Sequence, residues 1–128
     1  GQEGAPSGLE IAKSPGMKYK HYAPKSRLIL VEEQIRDCSY RQISDLIAQE
    51  QSQGHKVAVI FVGEVVSIQA DVVVSLGQTA TDYARLLFAK LRELDEQGMD
   101  VIIAIGIDPA GLGLAVMNRL RKAAGQVL

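Results

Sequence analysis

Val57-Ala-Val-Ile-Phe-Val62 is apolar at every position, with no polar residue on alternate sites. A strand with one wet face alternates; a strand covered on both faces does not, and such strands belong to parallel sheets held between helices. Val101-Ile-Ile-Ala-Ile105 has the same character, and Leu28–Val31 and Val72–Leu76 are shorter apolar runs. Between these runs the apolar spacing changes to three and four. Tyr40–Ser52 puts Ile43, Leu46 and Ile47 on one face, with Asp37 or Ser39 placed to cap the helix and Gly54 to end it. Thr79-Ala-Thr-Asp82 has capping-box form ahead of a stripe through Tyr83, Leu87, Phe88, Leu91 and Leu94, which Gly98 stops. A last helix is expected over about Leu112–Ala124. Buried strands alternating with amphipathic helices predict a Rossmann-like α/β three-layer sandwich. Its mainly parallel sheet would have four to five strands, right-handed crossovers and helices on both faces. The link Gly63–Asp71 is too short for a full helix and is expected to hold a short strand or a single helical turn.

Outside this frame the chain changes character. Gly1–Lys13 is rich in Gly, Pro, Ser and Ala and reads as an extended lead-in. Ser14-Pro-Gly-Met-Lys-Tyr-Lys-His-Tyr-Ala-Pro-Lys25 carries two prolines and a glycine, which oppose regular structure. From Lys13 to Arg27 run five cations and no carboxylate, with Tyr19, His21 and Tyr22 among them. Lysines pair with phosphate as point charges, and tyrosine and histidine add stacking faces with polar tips. Residues 1–27 are therefore expected to form an extended linker arm, and 28–128 one globular domain. Lys18, Tyr19, Lys20, His21 and Tyr22 are the candidates for contact with an anionic or nucleotide-like surface.

Composition narrows the classes. At 128 residues, 47% apolar, 23% charged and a net charge of −1, the chain is ordinary globular protein and too neutral for nonspecific nucleic-acid binding. A single cysteine, Cys38, excludes an internal disulfide and fits a reducing, cytoplasmic setting. No apolar run reaches membrane-spanning length, and the amino end lacks the features of a signal peptide. Gly1 stands where an initiator methionine would, the expectation being a piece of a longer protein.

The globular part offers weaker candidates. Gly106-Ile-Asp-Pro-Ala-Gly-Leu-Gly113 leads from a buried strand into a helix, whose free N–H groups and positive dipole end suit an anion. Gly106, Gly111, Gly113, Asn118 and Arg119 are the candidate anion-binding residues. The plainer reading is that the glycines permit close packing and that Arg119, Arg121 and Lys122 favour a helix C-terminus. No Walker A lysine follows, and Val31–Tyr40 contains no dinucleotide-type glycines. Cys38 has no histidine beside it in sequence, and no Cys, His or carboxylate cluster has metal-ligand spacing. No catalytic residues and no metal site are expected within these residues.

The arm resembles a known sequence. Its S-P-G-M-K-Y-K-H-Y-A-P meets at every position the S-P-G-M-K-Y-x-H-Y-A-P linker of the long, two-domain L-threonylcarbamoyladenylate (threonylcarbamoyl-AMP) synthase family. Gly111-Leu-Gly-Leu-Ala-Val-Met-Asn-Arg-Leu-Arg-Lys-Ala-Ala124 is similar to the end of that family's C-terminal domain, and Leu91-Arg-Glu-Leu-Asp95 also fits. The resemblance implies a linker and C-terminal accessory or regulatory domain, cut from an enzyme whose N-terminal YrdC-type catalytic domain is missing. That enzyme would join L-threonine, bicarbonate and ATP into threonylcarbamoyl-AMP with release of pyrophosphate, for threonylcarbamoyladenosine on tRNA. It would use ATP and Mg; the fragment alone would be inactive and hold no cofactor. Lys18, Tyr19, Lys20, His21 and Tyr22 would belong to a lid over the catalytic domain's nucleotide site, undefined in conformation without that domain. The partner implied is the catalytic domain of the same protein, with no membrane. Two alternatives stand beside it: a nucleotide- or anion-sensing domain using Gly106–Gly113, and a module docking tRNA or the downstream threonylcarbamoyl transferase complex.

Overall fold

A computed structural model describes residues 25–32, 37–63 and 67–128, with backbone alone for 37–39. The arm candidates Lys18–Tyr22 lie outside the described residues, as does the side chain of Cys38. The elements are β1 (Arg27–Val31), α1 (Asp37–Ser52), β2 (Val57–Phe61), β3 (Val72–Ser75), α2 (Ala80–Glu96), β4 (Val101–Ile105), α3 (Leu112–Ala123) and β5 (Gln126–Val127). All strand pairs are parallel, in the order β3-β2-β4-β1-β5.

The layers follow from the alternation of side chains along each strand. Leu30, Ile60 and Ala104 face α2 and α3 and pack with Leu87, Met117 and Leu120. Ile29, Val59 and Ile103 point the other way and pack with Ile43 and Ile47 of α1. The central strands β2 and β4 are buried at every position, as their unbroken apolar sequences require. Handedness explains which helix covers which face. The step from β1 to β2 runs toward the β3 edge, whereas β3 to β4 and β4 to β5 run the other way. Right-handed crossovers moving in opposite directions lie on opposite faces, so α1 stands alone and α2 and α3 together. The short connection from β2 to β3 moves in the same direction as β1 to β2. Its Ile68 and Ala70 accordingly pack on the α1 face.

Local chemistry sets several boundaries. Thr79 caps α2 by accepting from Asp82 N–H at 3.2 Å, and the Asp82 carboxylate accepts from the Gln78 and Thr79 N–H groups at 2.9 and 3.2 Å. Those bonds, Gln78 first, hold the Asp82 carboxyl below its ordinary pKa. Gly54 and Gly98 follow α1 and α2 in the left-handed conformation, with φ of 83° and 88°. The described α1 runs from Asp37, so Asp37 and Ser39 lie within it rather than before it as caps. Among its described residues, the 63–71 link holds neither a strand nor a helical turn. The fifth strand is the two-residue β5, paired with β1 through Ile29–Gln126 and Leu30–Val127.

Candidate functional site

Candidate chemistry lies at both ends of the sheet. At the carboxyl end, β1 and β4 are neighbours whose continuations leave toward opposite faces, the place where open α/β sheets form a crevice. The turn from Gly106 to Gly113 lines it. Several of its amides are engaged within the protein: Gly106 N–H donates to Val31 O at 2.7 Å, Gly113 N–H to Ala110 O at 3.0 Å and Leu114 N–H to Gly111 O at 3.0 Å. Ile107 N–H reaches Met117 Sδ at 3.4 Å, and Ala110 N–H donates to the Asp108 carboxylate at 3.1 Å. A side chain at Gly113 would run into the Asp108 carbonyl oxygen, and one at Gly106 would meet Met117 Cε at 2.7 Å and Val31 O at 3.0 Å. Gly113 is thus required for close approach, and Gly106 sits tightly against the Val31 carbonyl and the movable end of Met117. Gly111, at φ 58°, precedes α3, which has no side-chain cap and no acid in its first turn.

The two polar candidates on α3 diverge. Asn118 Oδ1 accepts from Arg121 Nη1 at 3.1 Å, and Arg121 Nε is ion-paired with Glu32 at the end of β1. The Arg119 guanidinium instead lies 4.0 Å over the Phe88 ring of α2, a cation–π contact that closes the α2–α3 seam. The structure therefore gathers Gly106, Gly111 and Gly113 in one turn and sends Asn118 and Arg119 to different neighbours.

The amino end of the sheet holds a set of carboxylates that the sequence did not single out. Asp95, in the last turn of α2, accepts the N–H groups of Lys25 and Ser26 on one oxygen at 2.8 and 2.7 Å. Ser26 Oγ donates to Met99 O, and Arg27 N–H donates to Asp100 O at 2.8 Å. Asp100 accepts from Lys56 N–H at 2.8 Å, and Asp71 accepts from Val57 N–H at 2.8 Å and from Gln51 at 3.2 Å. Glu50, 8% exposed, pairs with His55 at 2.7 Å and with Arg27. The His55 hydrogen bond, assisted by Arg27, holds the Glu50 carboxyl below its ordinary pKa against the opposing effect of burial. Asp71 is lowered chiefly by the Val57 N–H. Asp95, Met99, Asp100 O and Glu50 fasten the segment entering β1, and Asp71 ties the start of β2 to the end of α1.

One signal in the sequence pointed here. Glu93, Asp95 and Glu96 put three acids in the last turn of a helix with no basic residue there, against the preference of the helix dipole. Of the three, Asp95 has distant partners, whereas Glu93 bonds locally with Lys90 and Gln97. Among the described residues no group of three or more His, Cys, Asp or Glu side chains is arranged to hold a metal, and no helix is long and apolar enough to cross a membrane.

Fold and site together define a parallel α/β domain covered on both faces, with its incoming segment fastened at the amino end of the sheet. A family profile described as the C-terminal domain of threonylcarbamoyl-AMP synthase matches residues 2–125. The chain belongs to that family. It is 52% identical over 117 residues to the threonylcarbamoyl-AMP synthase of Pyrococcus abyssi, covering 91% of this chain and 33% of the relative. It is 43% identical over 115 residues to that of Bacillus subtilis, covering 88% and 32%. The chain thus spans about a third of the length of these curated relatives. A crystal structure of P. abyssi Sua5 complexed with L-threonine superposes with a TM-score of 0.72 at 48% identity, covering 96% of this chain and 36% of that one. A P. abyssi Sua5 variant with an adjacent histidine and tyrosine both changed to alanine gives 0.71 at 46% identity, covering 96% and 35%. The separately crystallised C-terminal Sua5 domain of a Pyrococcus horikoshii hypothetical protein gives 0.64 at 39% identity, covering 82% and 98%.

Proposed function

We propose that this chain is the linker and C-terminal accessory domain of a threonylcarbamoyl-AMP synthase that supplies tRNA threonylcarbamoyladenosine modification. In this reading Lys18, Tyr19, Lys20, His21 and Tyr22 form a lid over the nucleotide site of an N-terminal YrdC-type catalytic domain in the same protein. ATP, Mg2+, L-threonine and bicarbonate belong to that domain, and the present chain acts by presenting the lid. The observation that carries the proposal is the match to about a third of enzymes that are threonylcarbamoyl-AMP synthases throughout. The P. abyssi variant altered at an adjacent His and Tyr adds support, because His21-Tyr22 is the one such pair in this sequence. The residues suit the role: cations for phosphate oxygens, rings for stacking and for excluding water.

The test is pyrophosphate release by the full-length protein carrying Tyr19→Ala or His21→Ala. The expected result is a loss of about tenfold or more in kcat/KM for ATP. Wild-type turnover and wild-type ATP affinity in both variants refute the lid.

A second reading places an anion or nucleotide at Gly106–Gly113. The amino end of α3, without a side-chain cap or a first-turn acid, favours it. The Asp108 carboxylate on Ala110 N–H and the engaged turn amides weigh against it. Calorimetric titration of this chain with ATP, AMP and pyrophosphate decides, flat traces at millimolar ligand removing the reading.

A further inference from the structure

The buried polar side chains of this domain are gathered in one place. Tyr83 aside, Ser26 and Glu50 are the polar or charged residues buried among those described, each 8% exposed, and both serve the segment that enters β1. Ser26 Oγ donates to Met99 O, and Glu50 pairs with Arg27 and with His55. The same segment gives the Lys25 and Ser26 N–H groups to Asp95. Glu50 belongs to α1 and Asp95 to α2, which cover opposite faces of the sheet. Residues 25–27 therefore join the two helical layers through one carboxylate from each.

A buried ion pair is a conditional joint. Well-packed apolar residues of similar volume hold as well or better, but they hold under all conditions, whereas an ion pair needs both charges. The partners here are unequally placed: the Arg27 side chain is 48% exposed and that of Glu50 10%. Arg27 can swing into water without emptying a core position. Its departure strands the Glu50 charge inside the protein, with His55 as the remaining partner. His55 Nδ1 donates to Glu50 at 2.7 Å, and it can do so in either charge state of the ring. Once Glu50 is protonated, opening strands no charge. The other carboxylates at this end are engaged elsewhere: Asp71 with Val57 N–H and Gln51, Asp100 with Lys56 N–H, and Asp95 with Lys25 and Ser26. Lys25 and Lys56 are exposed.

We infer that Glu50 and Arg27 form an acid-sensitive latch at the start of β1: ionised Glu50 holds residues 25–27 closed against α1, and protonated Glu50 lets them open locally while the sheet stays folded. Lys25 and Ser26 precede the ladder, whereas Ile29 and Leu30 are paired with both β4 and β5, so opening stops within the first turns of the strand's hydrogen bonding. His55 and Arg27 hold the Glu50 carboxyl below its ordinary value of 4.5. The latch is therefore fully closed above that value and weakens as pH falls through the folded pKa.

Amide hydrogen exchange of the 128-residue chain, resolved by NMR from about pH 6 to about pH 3, tests it. Expressed as protection relative to an unstructured peptide, the Ser26 and Arg27 amides should lose about fivefold or more over that interval, the loss of one charge-assisted hydrogen bond. Ile103, in the middle of β4, should keep its protection to within about twofold. Glu50→Gln removes the charge and should leave Ser26 and Arg27 near their acid values at every pH. Arg27→Gln, which leaves Glu50 with His55, should do the same and serves in its place if Glu50→Gln does not fold. Asp95→Asn keeps an oxygen for both N–H groups and should retain the pH dependence. Ser26 and Arg27 amides that lose protection only in step with Ile103 overturn the latch, because the opening is then global. A pH dependence that survives in Glu50→Gln or vanishes in Asp95→Asn overturns the assignment to Glu50.

Discussion

Tyr83 is the only tyrosine among the described residues that is fully buried, and its hydroxyl donates to the Ile105 carbonyl at 2.8 Å. Ile105 ends β4 just before the Gly106 turn, so this bond ties α2 to the carboxyl end of the central strand. Tyr83→Phe removes the donor and keeps the ring, leaving a buried carbonyl without that hydrogen bond. The expected cost is about 1–2 kcal/mol. For a domain of this size that lowers Tm by roughly 4–8 °C per kcal/mol. Burial also raises the Tyr83 phenol well above its ordinary pKa of 10.0. The sign of the pH dependence follows. Above about pH 10 the unfolded chain gives up the Tyr83 proton and the folded chain does not, so wild-type stability falls with a limiting slope of about 1.4 kcal/mol per pH unit. Tyr83→Phe lacks that term. Urea unfolding of both proteins should therefore show a difference that is constant at neutral pH and shrinks toward zero by about pH 11. Taking the difference cancels the lysines and the other tyrosines. A neutral-pH difference below about 0.3 kcal/mol would refute the buried hydrogen bond, and curves that stay parallel from about pH 9 to about pH 11 would refute the raised pKa.

Two further outcomes are expected. Glu50, held below its ordinary pKa near 4.5 by His55 and Arg27, adds stability that is present above that value and is lost as pH falls through the folded pKa; Glu50→Gln should show a shallower acid limb below about pH 5 by circular dichroism. Gly113→Ala forces a methyl into the Asp108 carbonyl oxygen and should cost about 1–3 kcal/mol by thermal unfolding, and a Tm within about 1 °C of wild type would show that the Gly106–Gly113 turn is not closely packed.

Much of the fold was legible because its causes are local. Val57–Phe61 and Val101–Ile105 announce two-sided burial by having no polar alternate, and they are the two strands buried at every residue. Thr79 and Asp82 meet within one helical turn, so the capping box needs no distant partner. β5 was not legible: Gln126–Val127 is exposed and too short to show a pattern, and it is a strand only because Gly125 and Leu128 N–H groups find the Leu28 and Leu30 carbonyls.

Chemistry divides in the same way. The run from Lys18 to Tyr22 declared itself by being charged, aromatic and proline-bracketed where a core has no use for it. Gly106 and Gly113 stayed open between phosphate and packing, because a missing side chain looks the same for either purpose; the Val31 carbonyl, brought close by the sheet, and the Asp108 carbonyl, brought close by the turn itself, supply the packing reason. Glu50 was invisible as more than a solvated helix charge, and Asp95 showed only as one of three acids set against their helix dipole. The partners of Asp95 stand 69 and 70 residues away and those of Glu50 on both sides of it, at Arg27 and His55. Sequence alone determined the elements other than β5, the parallel class and the foreign chemistry of the arm, all of which depend on neighbours within a few residues. Only the tertiary structure decided the strand order, the close approach of Gly106 to Val31 and the carboxylate that receives Lys25 and Ser26, because each depends on groups that meet in space and nowhere along the chain.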